Sequence, residues 1–182
     1  MFHQPPVLHR LFFALLPPPA LARRIAAAAG WFGEGPGAIA AERLHLTLFI
    51  LDDMVRVPPA TVVPLRELAR SLGVGPVEVT LDVATGSGRS VALRPAHRNA
   101  ALARLHARIA EDAAACGIAE RPGYSFAPHM TLGYRAGEPF SERVAPVGWM
   151  ADELALIDSH VGRTRHEVLG RWPLVDPQLS LF

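Results

Sequence analysis

Hydrophobic and polar residues alternate most regularly in two short segments of the chain. Between residues 43 and 51 the even positions are apolar, namely Leu44, Leu46, Leu48 and Ile50. The odd positions carry Arg43, His45, Thr47 and Phe49. Because successive side chains of a β-strand point to opposite faces, this pattern predicts a strand over Arg43–Leu51 with one core face and one polar face.

The second segment, Ser125–Tyr134, repeats this division. One face carries Phe126, Pro128, Met130 and Leu132, and the other carries Ala127, His129, Thr131 and Gly133. Both segments contain the sequence His-x-Thr-Leu, with His and Thr on the face opposite the apolar one. Polar groups are costly to bury without partners, so we expect the His and Thr side chains of both strands to line an accessible cleft.

The remaining hydrophobic pattern predicts further strands and helices. The predicted strands are Leu8–Leu16, Val77–Val83, Ser90–Arg94, Glu153–Asp158 and Glu167–Leu174, and the predicted helices are Pro19–Ala29, a segment around Leu65–Leu72, and His97–Cys116. A glycine-rich loop, Gly33–Gly37, precedes the first motif. Helix, loop and His-x-Thr-Leu strand occur twice in this order, which favours an α+β fold with two similar lobes. No long linker is present, so residues 1–182 are expected to form one domain.

Composition and charge narrow the possible functions. The formal net charge of the 182 residues is +1, which argues against a broad electrostatic grip on duplex nucleic acid. All 18 basic residues are arginine, whose planar donors suit phosphate. The single cysteine, Cys116, excludes an internal disulfide and indicates a reducing compartment. The early apolar run is too short for a signal peptide, and no segment is long enough to cross a membrane. We therefore expect a cytoplasmic protein, and nothing in the sequence requires more than a monomer.

Two histidines and two threonines form a set suited to phosphate chemistry. Imidazole exchanges protons near neutral pH, so one histidine can deprotonate a nucleophile while the other protonates a leaving oxygen. Threonine hydroxyls can donate hydrogen bonds to phosphate oxygens. A cyclic phosphate diester fits this set, because its strained ring opens without a metal. Catalytic zinc usually needs three protein ligands and neither motif offers a third, so no metal or other cofactor is predicted.

With these motifs, the chain resembles the two-histidine (2H) phosphoesterase superfamily. Within it, the similarity is to the bacterial and archaeal RNA 2',3'-cyclic phosphodiesterases, also known as the 2'-5' RNA ligase family. The similar segments are Arg10-Leu11-Phe12-Phe13-Ala14-Leu15, Leu44-His45-Leu46-Thr47-Leu48, Phe126-Ala127-Pro128-His129-Met130-Thr131-Leu132, and a C-terminal stretch from Ser159 to Leu174.

The resemblance implies a bilobal fold with two pseudo-symmetric lobes, antiparallel sheets and one motif on each side of a central cleft. It also implies metal-independent hydrolysis of a terminal 2',3'-cyclic phosphate to a 2'-phosphomonoester. In that reaction His45 would protonate the departing 3' oxygen and His129 would activate water, while Thr47 and Thr131 would hold the phosphate. The partner would be an RNA end or a small cyclic-phosphate nucleotide.

The resemblance also suggests residues that bind the substrate. Family members often carry an arginine shortly after the second motif. Arg135 has the strand parity of His129 and is our prediction for the phosphate contact, with Tyr134 as the alternative. Phe49 shares the predicted face of His45 and is a candidate for contact with a nucleobase, although a core position is the simpler interpretation. His166 stands where a tyrosine is often found.

Two other functions remain open from the sequence. The same residues could join RNA ends through 2'-5' linkages, or the cleft could bind an RNA end or nucleotide without catalysis. The basic segment His160–His166, with nearby Arg171, is interpreted either as an exposed face or as a contact for RNA backbone. His3 and His9, near the N-terminus, are interpreted as incidental.

Overall fold

The computed structural model describes residues 6–29 and 37–176. The strands are β1 (His9–Leu15), β2 (Leu46–Ile50), β3 (Val77–Gly86), β4 (Ser90–Arg94), β5 (Met130–Tyr134), β6 (Phe140–Ala151), β7 (Glu153–His160) and β8 (Arg165–Pro173). The helices are α1 (Pro19–Ala29), α2 (Pro59–Ser71) and α3 (Ala100–Ala115). His3 and all but Gly37 of the predicted loop over residues 33–37 lie outside the described residues.

The eight strands form one sheet in the order β6-β3-β4-β5-β2-β1-β7-β8, and the paired neighbours are antiparallel. The sheet has two halves of four strands, and each half contributes one motif strand to the centre. There β2 and β5 pair through Leu46 and Met130. The α+β architecture predicted from the sequence is confirmed, and the two similar lobes are the halves of one continuous sheet.

All three helices cover the same face of this sheet. Their buried residues pack with the strands into the main core, and they include Ala22, Ile25, Leu65, Leu68, Ala69, Leu102, Leu105, Ile109 and Ala113. The other face carries a smaller apolar cluster of Phe12, Ala14, Ala155 and Ile157, to which no described helix contributes. We call this second face the open face. No described helix is long and apolar enough to cross a membrane.

Each motif strand contains a β-bulge at the same point of its sequence. In β2, Phe49 pairs with Phe13 and Thr47 pairs with Ala14, so Leu48 is an extra residue. In β5, Gly133 pairs with Val91 and Thr131 with Ala92, so Leu132 is extra. An extra residue interrupts the alternation of side chains between the two faces. Leu48 and Leu132 themselves stay in the main core, whereas the residues after each bulge lie on faces opposite to those that simple alternation predicts.

The structure also corrects several predicted boundaries. Residues Ala41–Arg43 form a turn of 3₁₀-helix rather than the start of β2. The third helix begins at Ala100 rather than near His97, because the Asn99 side chain accepts a hydrogen bond from the backbone N–H of Leu102 and caps it. Strand β6 was missed because it is an edge strand with mostly exposed residues, and such a strand tolerates Pro146.

An ion-pair network fastens β1 to the segments that flank the motif strands. Arg10 donates two hydrogen bonds to the Asp53 carboxylate, from Nε at 2.6 Å and from a terminal nitrogen at 2.8 Å. Arg121, which precedes β5, reaches the same carboxylate at 3.4 Å. The hydrogen bond from Arg10 lowers the pKa of Asp53. The network thus joins elements of both motif segments beyond the single pairing of β2 and β5.

Candidate active site

The two motif histidines lie beside Leu46 and Met130, the one residue pair that joins the two halves of the described sheet through β2 and β5. His45 directly precedes Leu46 and His129 directly precedes Met130. Leu46 and Met130 are fully buried in the main core, whereas His45 and His129 are half-buried on the other side of the backbone. The structure therefore brings the two predicted catalytic histidines together on the open face. Their mutual repulsion is one of the causes that lower the pKa of His45.

Each motif histidine is oriented by the same local hydrogen bond. His45 Nδ1 lies 2.7 Å from the carbonyl oxygen of Arg43, and His129 Nδ1 lies 2.8 Å from that of Ala127. Because a carbonyl oxygen can only accept, each Nδ1 carries the hydrogen and donates it. The neutral tautomer is therefore set, and Nε2 is left as the nitrogen that can take or give a proton.

The surroundings lower the pKa of both histidines. For His45 the main cause is burial, opposed by the hydrogen bond to Arg43 and reinforced by the positive charges of His129 and Arg43. For His129 the main cause is again burial, opposed by the hydrogen bond to Ala127 and reinforced by the charge of Arg94. Both imidazoles are therefore held toward their neutral forms, and each can act as a base at neutral pH.

The two motif threonines lie on the open face beside the histidines. Thr47 pairs with Ala14 of the small apolar cluster, and Thr131 pairs with Ala92 of β4. Both threonine side chains are half-buried. The alternation predicted for His45, Thr47, His129 and Thr131 therefore holds up to each bulge, and two hydroxyls stand with two imidazoles on one accessible surface.

Arg94 is a cationic site residue that the sequence interpretation did not identify. Leu93 pairs with Met130, so the next residue of β4, Arg94, lies beside His129 on the open face. Its Nε donates a hydrogen bond to Thr85 Oγ1 at 3.2 Å. Its charge acts on His129. Only the pairing of β4 with β5, which connects residues far apart in the chain, places Arg94 in the site.

The surroundings of His45 differ from those of His129, because two aromatic rings lie against it. The ring centroid of Phe12 is 4.8 Å from that of His45, and the centroid of His166 is 5.2 Å away. Burial, followed by the charges of His45 and Arg43, lowers the pKa of His166 to about 4. His166 is therefore neutral at pH 7. Of the basic segment 160–166, this residue is the one that reaches the site, while Arg163 and Arg165 are exposed.

The bulges change the faces on which two of the predicted substrate-binding residues lie. Phe49 is only 1% exposed in the main core, because the bulge at Leu48 turns it away from the face of His45. The prediction that Phe49 contacts a nucleobase is therefore wrong. Arg135 lies with Ile25 of α1 and with Leu132 along a groove on the helix side, so the structure does not bring it together with the motif histidines. Tyr134 instead follows the bulge onto the open face and is 61% exposed.

Comparisons with known proteins identify the family and the fold of the chain. The family model of the 2'-5' RNA ligase superfamily matches residues 17–163. No curated protein sequence matches the chain. A structure of Escherichia coli LigT with 3'-AMP superimposes with a TM-score of 0.74 at 28% identity, covering 92% of this chain and 98% of that one. LigT with ATP gives a TM-score of 0.72 at 28% identity, covering 92% and 99%.

A Thermus thermophilus protein, TT0787, shares the fold at 20% identity, with a TM-score of 0.69 and coverage of 91% of this chain and 97% of that one. The family model spans most of the chain and includes both motif strands. The fold, the paired motifs and this match agree: the chain belongs to the 2'-5' RNA ligase superfamily of two-histidine phosphoesterases.

Proposed function

We propose that this protein hydrolyses 2',3'-cyclic phosphates, at an RNA end or on a nucleotide, to 2'-phosphomonoesters. The observation that carries the proposal is the pair of half-buried histidines on the open face, each with Nδ1 bound to a backbone carbonyl and Nε2 available for proton transfer. A reaction that needs one base and one acid uses such a pair directly.

In the proposed reaction His129 acts as the base and His45 as the acid. Neutral His129 takes a proton from water as the water oxygen bonds to phosphorus. The bond from phosphorus to the 3' oxygen breaks, and protonated His45 supplies the proton to that oxygen. The products are a 2'-phosphate and a 3'-hydroxyl, and exchange of one proton with solvent restores both histidines.

The phosphate would lie between the motif strands, where positive charge and hydroxyl donors are available. Thr47 and Thr131 donate hydrogen bonds to the nonbridging oxygens, and Arg94 adds charge on the side of His129. Arg94 favours the neutral form of His129, which is the form that a base needs. Because the pKa of His45 is lowered as well, the assignment of base and acid follows the family resemblance. The similarity to LigT structures that contain 3'-AMP and ATP supports a nucleotide as the smallest substrate.

The test is hydrolysis of adenosine 2',3'-cyclic phosphate in the presence of EDTA, with the products identified by phosphorus NMR. We expect the 2'-monophosphate alone. The 3'-monophosphate as the main product would overturn the assigned leaving oxygen. Binding of the cyclic phosphate without turnover would favour a noncatalytic binding module, and activity restored to an EDTA-inhibited enzyme by zinc would favour metal catalysis.

The family match supports one alternative, the formation of 2'-5' linkages by the same site. In that reaction a 5'-hydroxyl takes the place of water as the nucleophile. An oligonucleotide with a cyclic phosphate end is incubated with a second one that carries a 5'-hydroxyl, and ligated and hydrolysed products are separated on a gel. Hydrolysis should dominate, because water is far more concentrated than any RNA end. A predominantly ligated product would show that ligation is the main reaction and hydrolysis the minor one.

A further inference from the structure

Three potential metal ligands meet at one end of β1 and β7, away from the open face. His9 pairs with His160 across the two strands, and Leu11 pairs with Asp158. Leu11 belongs to the main core, so alternation places His9, Asp158 and His160 on the helix side of the sheet. The open-face residues Phe12 and Ala14 are on the opposite side of β1.

The donor atoms of these three residues are close enough to share one ion. His9 Nδ1 is 2.7 Å from Asp158 Oδ2, and His160 Nε2 is 3.7 Å from the same oxygen. All three donor atoms lie within 4.8 Å of one another. Tetrahedral zinc, with bonds of about 2.0–2.2 Å, separates its ligand atoms by about 3.4 Å. The two distances to Asp158 Oδ2 fall on either side of this value, so small side-chain rotations would complete the geometry.

The carboxylate of Asp158 is an independent sign of a bound cation. Among the described residues, Asp158 is the one charged residue that is buried, with 5% of its surface exposed. Its second oxygen, Oδ1, is buried and has no hydrogen-bond partner among the described residues. A buried carboxylate oxygen without a partner is costly. A divalent cation between the three side chains that binds both carboxylate oxygens, Oδ2 and Oδ1, would supply the missing compensation.

We propose that His9, Asp158 and His160 bind a zinc ion. Two imidazole nitrogens and one carboxylate oxygen are donors that zinc accepts readily. Glu167 offers a fourth donor, because it pairs with Asp158 across β7 and β8 and its Oε2 lies 3.9 Å from His160 Nε2. The ion would fasten the start of β1 to the end of β7.

This zinc site does not depend on the proposed phosphoesterase reaction. It lies on the helix side of the sheet, whereas His45 contacts Phe12 on the open face. Zinc is therefore expected to change the stability of the protein and to leave turnover of a cyclic phosphate unchanged. His9, interpreted from the sequence as incidental, becomes a structural ligand.

The test uses the full chain without a histidine tag, stripped with EDTA and then freed of it. Isothermal titration with zinc chloride should show one tight site per chain, and zinc should raise the melting temperature. Cobalt bound in place of zinc should give the intense visible absorption of a four-coordinate ion. Asp158→Asn and His160→Ala should each weaken zinc binding by at least about 100-fold.

Two control variants separate this site from other histidines. His106 also contacts a carboxylate, with its Nε2 3.0 Å from Glu120 Oε1, but among the described residues it is not part of a three-ligand group. His106→Ala should therefore keep full zinc affinity. The double variant His45→Ala/His129→Ala should keep it as well, and loss of binding there would place the ion in the cleft. No stoichiometric binding by the wild type, or unchanged binding in both ligand variants, would show that the cluster is only a hydrogen-bonded network.

Discussion

The two halves of the sheet carry the same motif in different surroundings. Both motif histidines donate to the carbonyl oxygen two residues earlier, and both motif threonines are followed by a bulge. His45 lies against the rings of Phe12 and His166, whereas His129 lies beside the charge of Arg94. The backbone hydrogen bond and the bulge are the same in both halves, whereas the side chains around the two histidines differ. In the proposed reaction, these unequal surroundings belong to two chemically identical groups that take opposite roles in proton transfer.

The largest expected effect comes from removing either histidine. His45→Ala and His129→Ala should each lower kcat for a 2',3'-cyclic phosphate by about 10²–10⁴-fold with the fold intact. The double variant should lose little more than the worse single variant, because the two residues act as a unit. Steady-state kinetics and circular dichroism measure this. Near wild-type rates in both single variants would remove the basis of the mechanism.

The next effect concerns the charge beside His129. Arg94→Ala should lower kcat/KM by about 10²-fold, because a cation that stabilises the developing phosphate charge is lost. It should also move the acidic limb of the kcat/KM profile to higher pH, since the pKa of His129 is no longer lowered by Arg94. Arg94→Lys, which keeps the positive charge, should return the acidic limb of the pH profile of kcat/KM most of the way to its wild-type position. A loss of rate without any shift of the limb would mean that Arg94 does not act on the base.

A smaller effect belongs to the half that contains His45. The pKa of His166 is about 4 in the folded chain, below the ordinary value of about 6.5. As pH falls from 6.5 toward 4 the unfolded chain binds a proton before the folded one, so the folded state loses stability over this range. His166→Phe should reduce the fall in melting temperature between pH 7 and pH 4.5. His97→Ala, at an exposed position, is the control, and an unchanged fall in His166→Phe would contradict the burial of His166.

The smallest effect tests the bulge in β5. Arg135→Ala should leave kcat/KM within about twofold of the wild type, because Arg135 lies on the helix side. Tyr134→Ala should change KM more than Arg135→Ala does, because Tyr134 is exposed on the open face. Measuring both variants on the same cyclic nucleotide makes the comparison direct. If Arg135→Ala had the larger effect, Arg135 rather than Tyr134 would lie on the open face, as simple alternation predicts.

Short-range patterns predicted the fold class and the four motif residues. The paired motifs His45–Thr47 and His129–Thr131 are visible because alternation and residue chemistry are local properties. The bulges are not visible, because the extra residues Leu48 and Leu132 are apolar and fit either face of a strand. That one omission explains why Phe49 and Arg135 lie on the helix side rather than on the open face.

Long-range pairing explains the rest of what the sequence left out. Arg94 enters the site because β4 pairs with β5, and His9 meets Asp158 because β1 pairs with β7. Neither pairing has a local sequence signal. Strand β6 lacked one as well, since an exposed edge strand does not need the apolar alternation of a buried strand.

The junction between β2 and β5 also determines when the site can form. His45 and His129 are brought together by the pairing of Leu46 with Met130, which lie far apart in the chain. Closing such a long loop costs more conformational entropy than pairing neighbouring strands. Neither half of the sheet alone holds both imidazoles, so the pair of proton-transfer groups exists only once the two halves have joined.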